Sequence, residues 1–292
     1  MYFDKLTIII VTFHSHGIIE KCLDNLDERY KKIVVENSDD TQFAKKLINK
    51  YKNLECFNIG YDAGFGYAAN RGIEKSSTDY ILLINPDSFP EKDCIKKIIN
   101  TAENDKDIAV VTPITLTKNK EKEFKQYGYF NKKKLVKSSN NLLQVDWVNG
   151  NVFLVKKSIF DQIGLFDESF FLECEELDFL KRVANINKKV IIDFNAKSYH
   201  FEGKSADPKF WFEMKCEGAW HNSWSRFYYL KKHHGILKAI IKRTPKALID
   251  LSKFIIFFIL QDKIKSKIYK LYFLGFINSL FGKKPKYRAE IN

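Results

Sequence analysis

The sequence predicts an α/β fold in which a mostly parallel sheet is flanked by helices and followed by an amphipathic helical tail. Short apolar runs alternate with helical patterns from the first residues, which is the order of elements in a βαβαβ chain. One run, residues 80–84, is almost continuously aliphatic, as expected for a strand covered on both faces. With 292 residues and 45% hydrophobic content, the chain can bury one substantial core and carry an appendage.

The predicted elements follow one another with short connections. Strands are predicted at residues 6–11, 32–35, 54–58, 80–87 and 108–112. Helices are predicted after His16 and at residues 41–52, 65–75 and 90–103. The polar, lysine-rich segment 118–141 is typical of a loop or a β-hairpin insertion, and an ordered pattern resumes at 145–155. Because no repeat or low-complexity linker interrupts the chain, we expect one α/β domain over 1–230 and a tail over 231–292.

The tail carries most of the net charge. Residues 231–292 contain 15 Lys and Arg against 3 Asp and Glu, whereas residues 1–230 contain 34 against 33. The longest uncharged run of the tail, 254–261, is far shorter than the roughly 20 residues that a membrane-spanning helix needs. Lysine-rich segments that alternate with Phe, Ile and Leu favour interfacial helices on an anionic membrane, or else helices packed on the body with a solvated lysine face. A nucleic-acid-binding tail would not require so many apolar residues.

The cysteines point to a reducing compartment. They are five in number, lie far apart and form no Cys-x-x-Cys pair, so the sequence predicts neither a disulfide framework nor a zinc cluster. The first apolar run, residues 6–11, is too short for a signal peptide, and we expect a cytoplasmic location.

Polar and glycine-rich segments follow four of the predicted strands. Since the carboxyl ends of parallel strands meet at one edge of a sheet, we expect these segments to share the edge where ligands bind. Gly60, Gly64 and Gly66 follow the third strand, and they would let backbone N–H groups approach a phosphate at the start of the next helix. No glycine stands three residues after Gly66 and the glycines do not follow the first strand, which argues against a Rossmann dehydrogenase.

Asp87 lies at the end of the fourth strand, after Asn85 and Pro86. A carboxylate at this position suits a divalent cation and a phosphate ligand. Because Asn-Pro-Asp-Ser is also ordinary turn chemistry, Asp87 could equally cap a helix that begins near Pro90.

An ordered set of motifs resembles the inverting nucleotide-sugar glycosyltransferases of family 2, especially the branch that contains rhamnosyltransferases. The resemblance covers residues 5 to about 230. The motifs are Ile9 to Phe13 (IIVTF), Val34 to Ser38 (VVENS), Asn58 to Gly60 (NIG), Gly64 to Gly66 (GFG), Asn70 to Gly72 (NRG), Asn85 to Asp87 (NPD), Gly150, Leu154 to Lys157 (LVKK), Gly164 to Glu168 (GLFDE) and Phe170 to Asp178 (FFLECEELD).

The resemblance implies a GT-A fold, with a Rossmann-like sheet, and a nucleotide-sugar donor. It implies that Thr12, Glu36 and Asn37 face the nucleoside. The other implied donor-binding residues are Gly60, Gly64, Gly66, Asn70, Asn85 and Asp87.

The resemblance also implies a divalent cation, Mn²⁺ or Mg²⁺. Asp87 matches the last Asp of the metal motif of the family, and His200 matches a His-x-x-Gly motif whose His can complete the metal site. A lone His at the end of a strand can equally be structural.

A second carboxylate cluster, Glu175, Glu176 and Asp178, opens a predicted helix. The helix dipole favours acids in a first turn whether or not they react. Inverting transfer, however, needs a carboxylate that hydrogen-bonds the acceptor hydroxyl, and the position of the family base is here Glu176, with Glu175 as the alternative. Trp147, Asn149 and Gly150 resemble the part of the family that shapes the acceptor pocket, although Trp147 could also belong to the core.

Taken with the tail, the resemblance implies a hexosyltransferase, with rhamnose as one candidate sugar, that is peripheral on the cytoplasmic face of the inner membrane. Its acceptor would be a growing, lipid-linked glycan of the O-antigen or capsule type, and nucleic acid is not an expected partner. Two other classes remain open: a catalytically inactive relative that only binds glycan or protein, and a nucleotidyltransferase, which would release pyrophosphate.

Overall fold

A computed structural model describes residues 2–117, 127–130, 141–201 and 207–288. Their helices are α1 (Ile19–Asn25), α2 (Thr41–Lys50), α3 (Phe65–Lys75), α4 (Cys94–Glu103), α5 (Lys157–Ile163), α6 (Glu175–Asn185), α7 (Trp211–His234), α8 (Ile236–Ile259) and α9 (Lys263–Leu280). Their strands are β1 (Leu6–Thr12), β2 (Lys31–Glu36), β3 (Leu54–Asn58), β4 (Tyr80–Ile84), β5 (Ser88–Pro90), β6 (Ile108–Thr117), β7 (Tyr127–Gly128), β8 (Leu142–Val145), β9 (Trp147–Val148), β10 (Val152–Lys156) and β11 (Lys189–His200).

The chain divides into two compact units. The sheet unit comprises Met1–Phe166 and Glu176–Asp207, and the helical unit comprises Asp167–Glu175 and Pro208–Asn292. The boundary predicted near residue 230 stays a prediction, and in the structure that position lies within α7.

The main sheet of the described residues runs in the order β3-β2-β1-β4-β10-β6-β11-β5, and β8 pairs with β11. The first four strands of this order are parallel to one another. Their register aligns Thr12 of β1 with Glu36 of β2, and Glu36 with Asn58 of β3. The polar segments that follow these strands therefore share one edge of the sheet, as the sequence predicts.

The sheet is covered on both faces because alternate residues of its central strands are apolar. Ile8 and Ile10 of β1 pack with α1, α2 and α4 on one face, whereas Ile9 packs with α3, α5 and α6 on the other. All five residues of β4 are buried. Burial on both faces explains why β4 reads as a continuous apolar run.

Two expectations need correction. The strand predicted at 80–87 ends at Ile84, and the helix predicted from Pro90 begins at Cys94, because Ser88–Pro90 forms β5 and pairs antiparallel with β11. The N-cap of α4 is Asp93, so Asp87 does not cap this helix. Most of the predicted insertion 118–141 lies outside the described residues. Residues 127–130 and 141 are described, and β7 within them pairs with β9.

The helical unit packs α7, α8 and α9 around aromatic side chains. Trp220 and Trp224 of α7 contact Leu271 of α9, and Phe227 contacts Phe276 with ring centroids 5.5 Å apart. Gly275 permits close helix contact, because a Cβ at that position would clash with the Trp220 carbonyl oxygen. Among the described residues, each helix is too short or too polar to cross a membrane.

Candidate active site

The ends of β1 and β2 form a buried polar cluster around Glu36. Thr12 Oγ1 donates to Glu36 Oε2 at 2.6 Å, and Ser38 Oγ donates to Glu36 Oε1 at 2.6 Å. The backbone N–H of His14 also donates to Oε1, at 3.3 Å. These bonds compensate the burial of a carboxylate that is 1% exposed, and they fix its orientation at the edge of the sheet.

The loop after β3 is held by side-chain amide and carboxylate groups. Asn37 Nδ2 donates to Asp62 Oδ1 at 2.9 Å, while Asn37 Oδ1 accepts from the Ala63 backbone N–H at 3.0 Å. Gly64, the N-cap of α3, has φ +89°, a conformation that side chains disfavour. The structure thus connects Asn37 to the glycine loop, and Gly66 lies buried in the first turn of α3.

Asp62 is a site candidate that the sequence analysis did not single out. Its Oδ1 also accepts from the Gly64 backbone N–H at 3.3 Å, so one carboxylate oxygen joins Asn37 to the start of α3. The available signal was an Asp two residues before a glycine that precedes a helix, which is common turn chemistry.

The side chain of Asn70 makes two hydrogen bonds to the backbone of Phe166. Its Nδ2 donates to the Phe166 carbonyl at 3.0 Å, and its Oδ1 accepts from the Phe166 N–H at 3.0 Å. This pair of bonds ties α3 to the segment after α5. Donor binding by Asn70 stays a prediction.

Asp87 and His200 lie next to each other although 113 positions separate them in the chain. His200 Nε2 is 3.2 Å from Asp87 Oδ1. The pairing of β5 with β11, which places His200 opposite Ser88, produces this contact, and the Phe201 N–H donates to the Asp87 carbonyl at 3.0 Å. Asp87 is 2% exposed, and its Oδ1 makes no hydrogen bond of normal geometry within the described part of the chain.

The Asp87–His200 pair fits a divalent cation that is coordinated partly by the protein and partly by a substrate. A carboxylate oxygen and an imidazole nitrogen are both ligands for such ions, and a buried carboxylate oxygen without a normal hydrogen bond is suited to receive one. Within the described ranges no three His, Cys, Asp or Glu side chains are grouped to hold a metal. Asp87 and His200 would supply part of the coordination of such an ion, and phosphate oxygens or water the remainder.

Asn85 brings a second loop to the Asp87 turn. Its backbone N–H donates to the Asn151 carbonyl at 3.0 Å, next to the antiparallel pairing of β4 with β10. Residues 149–151 thus lie directly beside the turn that carries Asp87. The same loop contains Asn149, whose Oδ1 accepts from the Gly150 N–H at 3.0 Å.

Glu176 packs directly against Gly150. A Cβ placed on Gly150 would clash with Glu176 Oε1 and lie 2.8 Å from its Cγ. The missing side chain at position 150 therefore creates the space that the Glu176 carboxylate occupies. The structure brings together two residues that the sequence analysis placed in different roles, the base and the acceptor pocket.

Part of the Trp147 indole packs against a second glycine, Gly128. A Cβ on Gly128 would lie 2.7 Å from Trp147 Nε1, and Trp147 is half-buried against the sheet core. Both interpretations of Trp147 are thus compatible with its position, and stacking on a sugar stays a prediction.

Asp178 is fully buried and bound to Arg182. Its Oδ2 accepts from Arg182 Nε at 2.9 Å. The same guanidinium donates to the backbone carbonyls of Ile163, Gly164 and Leu165 at 2.6 to 3.1 Å. These contacts are those of a residue that orients Arg182, and a catalytic role for Asp178 stays a prediction.

The segment before Glu175 is held by α7 within the helical unit. Phe171 stacks on His221 with centroids 4.4 Å apart, Ser225 Oγ donates to the Leu172 carbonyl at 2.8 Å, and Lys232 Nζ lies 2.7 Å from Asp167 Oδ2. Burial lowers the pKa of His221 to about 4, so this ring stacks as a neutral imidazole at neutral pH.

The backbone of that segment adopts an uncommon conformation just before the acidic pair. Glu173 and Cys174 have φ values of +71° and +74°, which non-glycine residues rarely adopt. Glu175, which follows them and begins α6, is 3% exposed. The sequence carries no turn signal at these positions that would have revealed this conformation.

A mostly parallel sheet with a polar, glycine-rich edge and a separate carboxylate helix is the architecture of the GT-A glycosyltransferases. A comparison with solved structures supports this class. The mannosyltransferase PcManGT from Pyrobaculum calidifontis, solved with GDP-Man and Mn²⁺, has a TM-score of 0.57 and 12% identity, over 96% of this chain and 88% of that chain. At this identity the likeness shows the fold.

The chain belongs to Glycosyl transferase family 2, whose sequence profile matches residues 7–164, more than half of its length. The rhamnosyltransferase WbbL of Escherichia coli K12 is 27% identical over 230 residues, which cover 68% of this chain and 86% of WbbL. The low-salt glycan biosynthesis hexosyltransferase Agl10 of Haloferax volcanii is 25% identical over 196 residues, 63% of each chain. The protein is therefore a glycosyltransferase.

Proposed function

We propose that the protein is an inverting hexosyltransferase that moves a sugar from a nucleoside diphosphate to a glycan acceptor. The observation that carries this proposal is the presence of two separate carboxylate sites in the sheet unit, Asp87 beside His200 and Glu176 against Gly150. Inverting transfer requires two such functions, one at the departing diphosphate and one at the attacking hydroxyl. The similarity to WbbL supports rhamnose as the first sugar to test.

On the donor side, the proposed nucleoside contacts come from Thr12, Glu36 and Asn37. Their support is the shared register of β1 and β2 and the hydrogen bonds that fix each side chain. The backbone at Gly60 and Gly64 would approach the phosphates at the N-terminus of α3, whose positive end favours an anion.

The proposed cation is Mn²⁺ or Mg²⁺, held by Asp87 and His200. When bound, such an ion stabilises the negative charge that develops on the departing diphosphate. Asp87 would supply the negative ligand, and His200 would supply a nitrogen ligand.

On the acceptor side, Glu176 is the proposed general base. It would accept the proton of the acceptor hydroxyl while that oxygen forms a bond to the anomeric carbon and the bond to the diphosphate breaks. Attack on the face opposite the diphosphate inverts the anomeric configuration. Asn149, Gly150 and Trp147 would shape the acceptor pocket, and Glu175 is the alternative base.

The acceptor is proposed to be a lipid-linked saccharide used for a cell-surface polysaccharide. The support comes from Agl10, a relative named for glycan biosynthesis, and from the basic, apolar helices that follow the sheet unit. A peripheral location on the cytoplasmic face of a membrane would place the enzyme next to such an acceptor.

A donor screen tests the proposed function. Purified protein with Mn²⁺ and UDP-, GDP- or dTDP-linked hexoses should release nucleoside diphosphate, and product NMR should show an inverted anomeric centre. Release of pyrophosphate from a nucleoside triphosphate and a hexose 1-phosphate, supplied in a parallel reaction, would instead identify a nucleotidyltransferase. Donor binding without turnover for every donor and saccharide acceptor would indicate an inactive binding protein.

A further inference from the structure

The helical unit carries an exposed apolar stripe along α8. It consists of Leu237, Ile241, Leu248, Ile255 and Ile259, called here the α8 stripe. Successive members are four, seven, seven and four residues apart, which places them on one face of a helix. Leu237, Ile241 and Ile259 are 74%, 72% and 71% exposed, so the stripe faces outward from the described helices.

The apolar surface continues around the connection between α8 and α9. Phe258, Leu260 and Ile264, called here the α8–α9 corner, are each more than half exposed. Large exposed apolar surfaces usually mark an interaction site.

Other residues form the buried packing between the described helices. The inward face of α8 is formed by other residues, of which Ala239, Ala247 and Asp250 are buried. Ala239 and Ala247 pack with Phe227 of α7 and Phe276 of α9. The stability of the three-helix packing therefore does not account for the α8 stripe.

Exposed lysines occur on the same two helices as the apolar surface. Lys238, Lys242 and Lys253 of α8 are exposed, as are Lys263 and Lys265 of α9. Residues 231–292 carry 15 basic against 3 acidic side chains. An occupant that is both apolar and anionic complements this surface, whereas a second copy of the chain would bring like charges together.

We infer that the α8 stripe and the α8–α9 corner dock on the surface of an anionic lipid bilayer. Apolar side chains would enter the boundary between headgroups and acyl chains, and the lysines would contact the headgroups. The inference deepens the membrane location proposed above, on which it rests, and its test uses neither donor nor acceptor. Its failure and a failure of the transfer proposal are therefore distinguishable.

Cosedimentation of the full chain with lipid vesicles tests the inference. We expect binding to vesicles that contain phosphatidylglycerol, weaker binding to pure phosphatidylcholine, and release as salt rises, because salt screens the lysine contacts. The double variant Ile241→Ser, Ile259→Ser should bind roughly 100-fold more weakly, about tenfold for each lost isoleucine. Ile48→Ser is the matched control, since Ile48 is an exposed isoleucine of α2.

A second pair of variants tests how much the charges of the α8 lysines contribute to vesicle binding. Lys238→Gln with Lys242→Gln should weaken binding by roughly fivefold for each lysine and reduce its salt dependence. Lys45→Gln with Lys52→Gln, two exposed lysines in the sheet unit, should leave binding unchanged.

Two results would overturn the inference. One is equal vesicle binding by the wild type and the Ile241, Ile259 variant, with circular dichroism showing that both are folded. The other is a wild-type dimer that fails to bind vesicles and becomes monomeric in that variant, which would assign the stripe to a second copy of the chain.

Discussion

Gly150 illustrates how a single residue shapes the candidate site. Its lack of a side chain leaves room for the Glu176 carboxylate. This close approach joins two residues that the sequence separates by 26 positions. The sequence analysis could select both residues from family motifs, but their contact depends on packing between α6 and the loop before β10, which no local pattern encodes.

Gly150→Ala should therefore displace the proposed base. We expect turnover to fall about 10²-fold, because a shift of roughly 1 Å in a catalytic group has an effect of this size, while donor affinity stays unchanged. Steady-state kinetics and donor titration measure the two quantities. Unchanged turnover in Gly150→Ala would show that the position of Glu176 does not matter for the reaction.

Other residues of the site differ in how well the sequence could predict their neighbours. Asn37 and the glycine loop follow adjacent strands, so their contact follows from the parallel order of β2 and β3. The approach of His200 to Asp87 depends on the pairing of β5 with β11. The sequence analysis predicted that a helix starts at Pro90 of β5. The family resemblance alone therefore implied that Asp87 and His200 share a metal site.

At the scale of elements, the predictions were most accurate where the hydrophobic periodicity and the residues that bound an element agree. The bounds predicted for β3 and α3 match the structure, since a short alternating run and a glycine-led helical pattern each have clear ends. The three-residue strand β5 is too short to show a period. Its existence depends on β11, which is distant in the chain.

The contact between α6 and the end of α5 is a second element-scale feature, maintained by Asp178 and Arg182. Asp178→Asn removes the charge partner of Arg182, so we expect the free energy of unfolding to fall by about 3 kcal/mol, the scale of a broken buried ion pair. Urea denaturation measures this loss, and Asp161→Asn, an exposed acid on α5, is the control. If Asp178 acted as the base, the variant would instead lose turnover with unchanged stability.

At the scale of the whole molecule, the sequence analysis treated residues 1–230 as one body. That domain boundary stays a prediction. In the structure, residues 167–175 belong to the helical unit, where Asp167 contacts Lys232 and Phe171 contacts His221. These partners lie at least 50 positions apart, so charge and hydropathy patterns do not reveal them. Truncation near residue 230 would remove α8 and α9, which cover α7, and for this reason point variants of the full chain are the appropriate tests.

The central claim is that two carboxylate sites have separate functions. Its most direct test measures both donor binding and turnover for each of three variants. Calorimetry with a nucleoside diphosphate and Mn²⁺ is compared with the rate of sugar transfer for Asp87→Asn, Glu176→Gln and Glu175→Gln. We expect Asp87→Asn to lose Mn²⁺-dependent binding and transfer, and Glu176→Gln to keep binding while transfer falls about 10²-fold or more. Glu175→Gln should remain close to wild type. Full transfer by Asp87→Asn, or a loss confined to Glu175→Gln, would contradict the assignment of these roles.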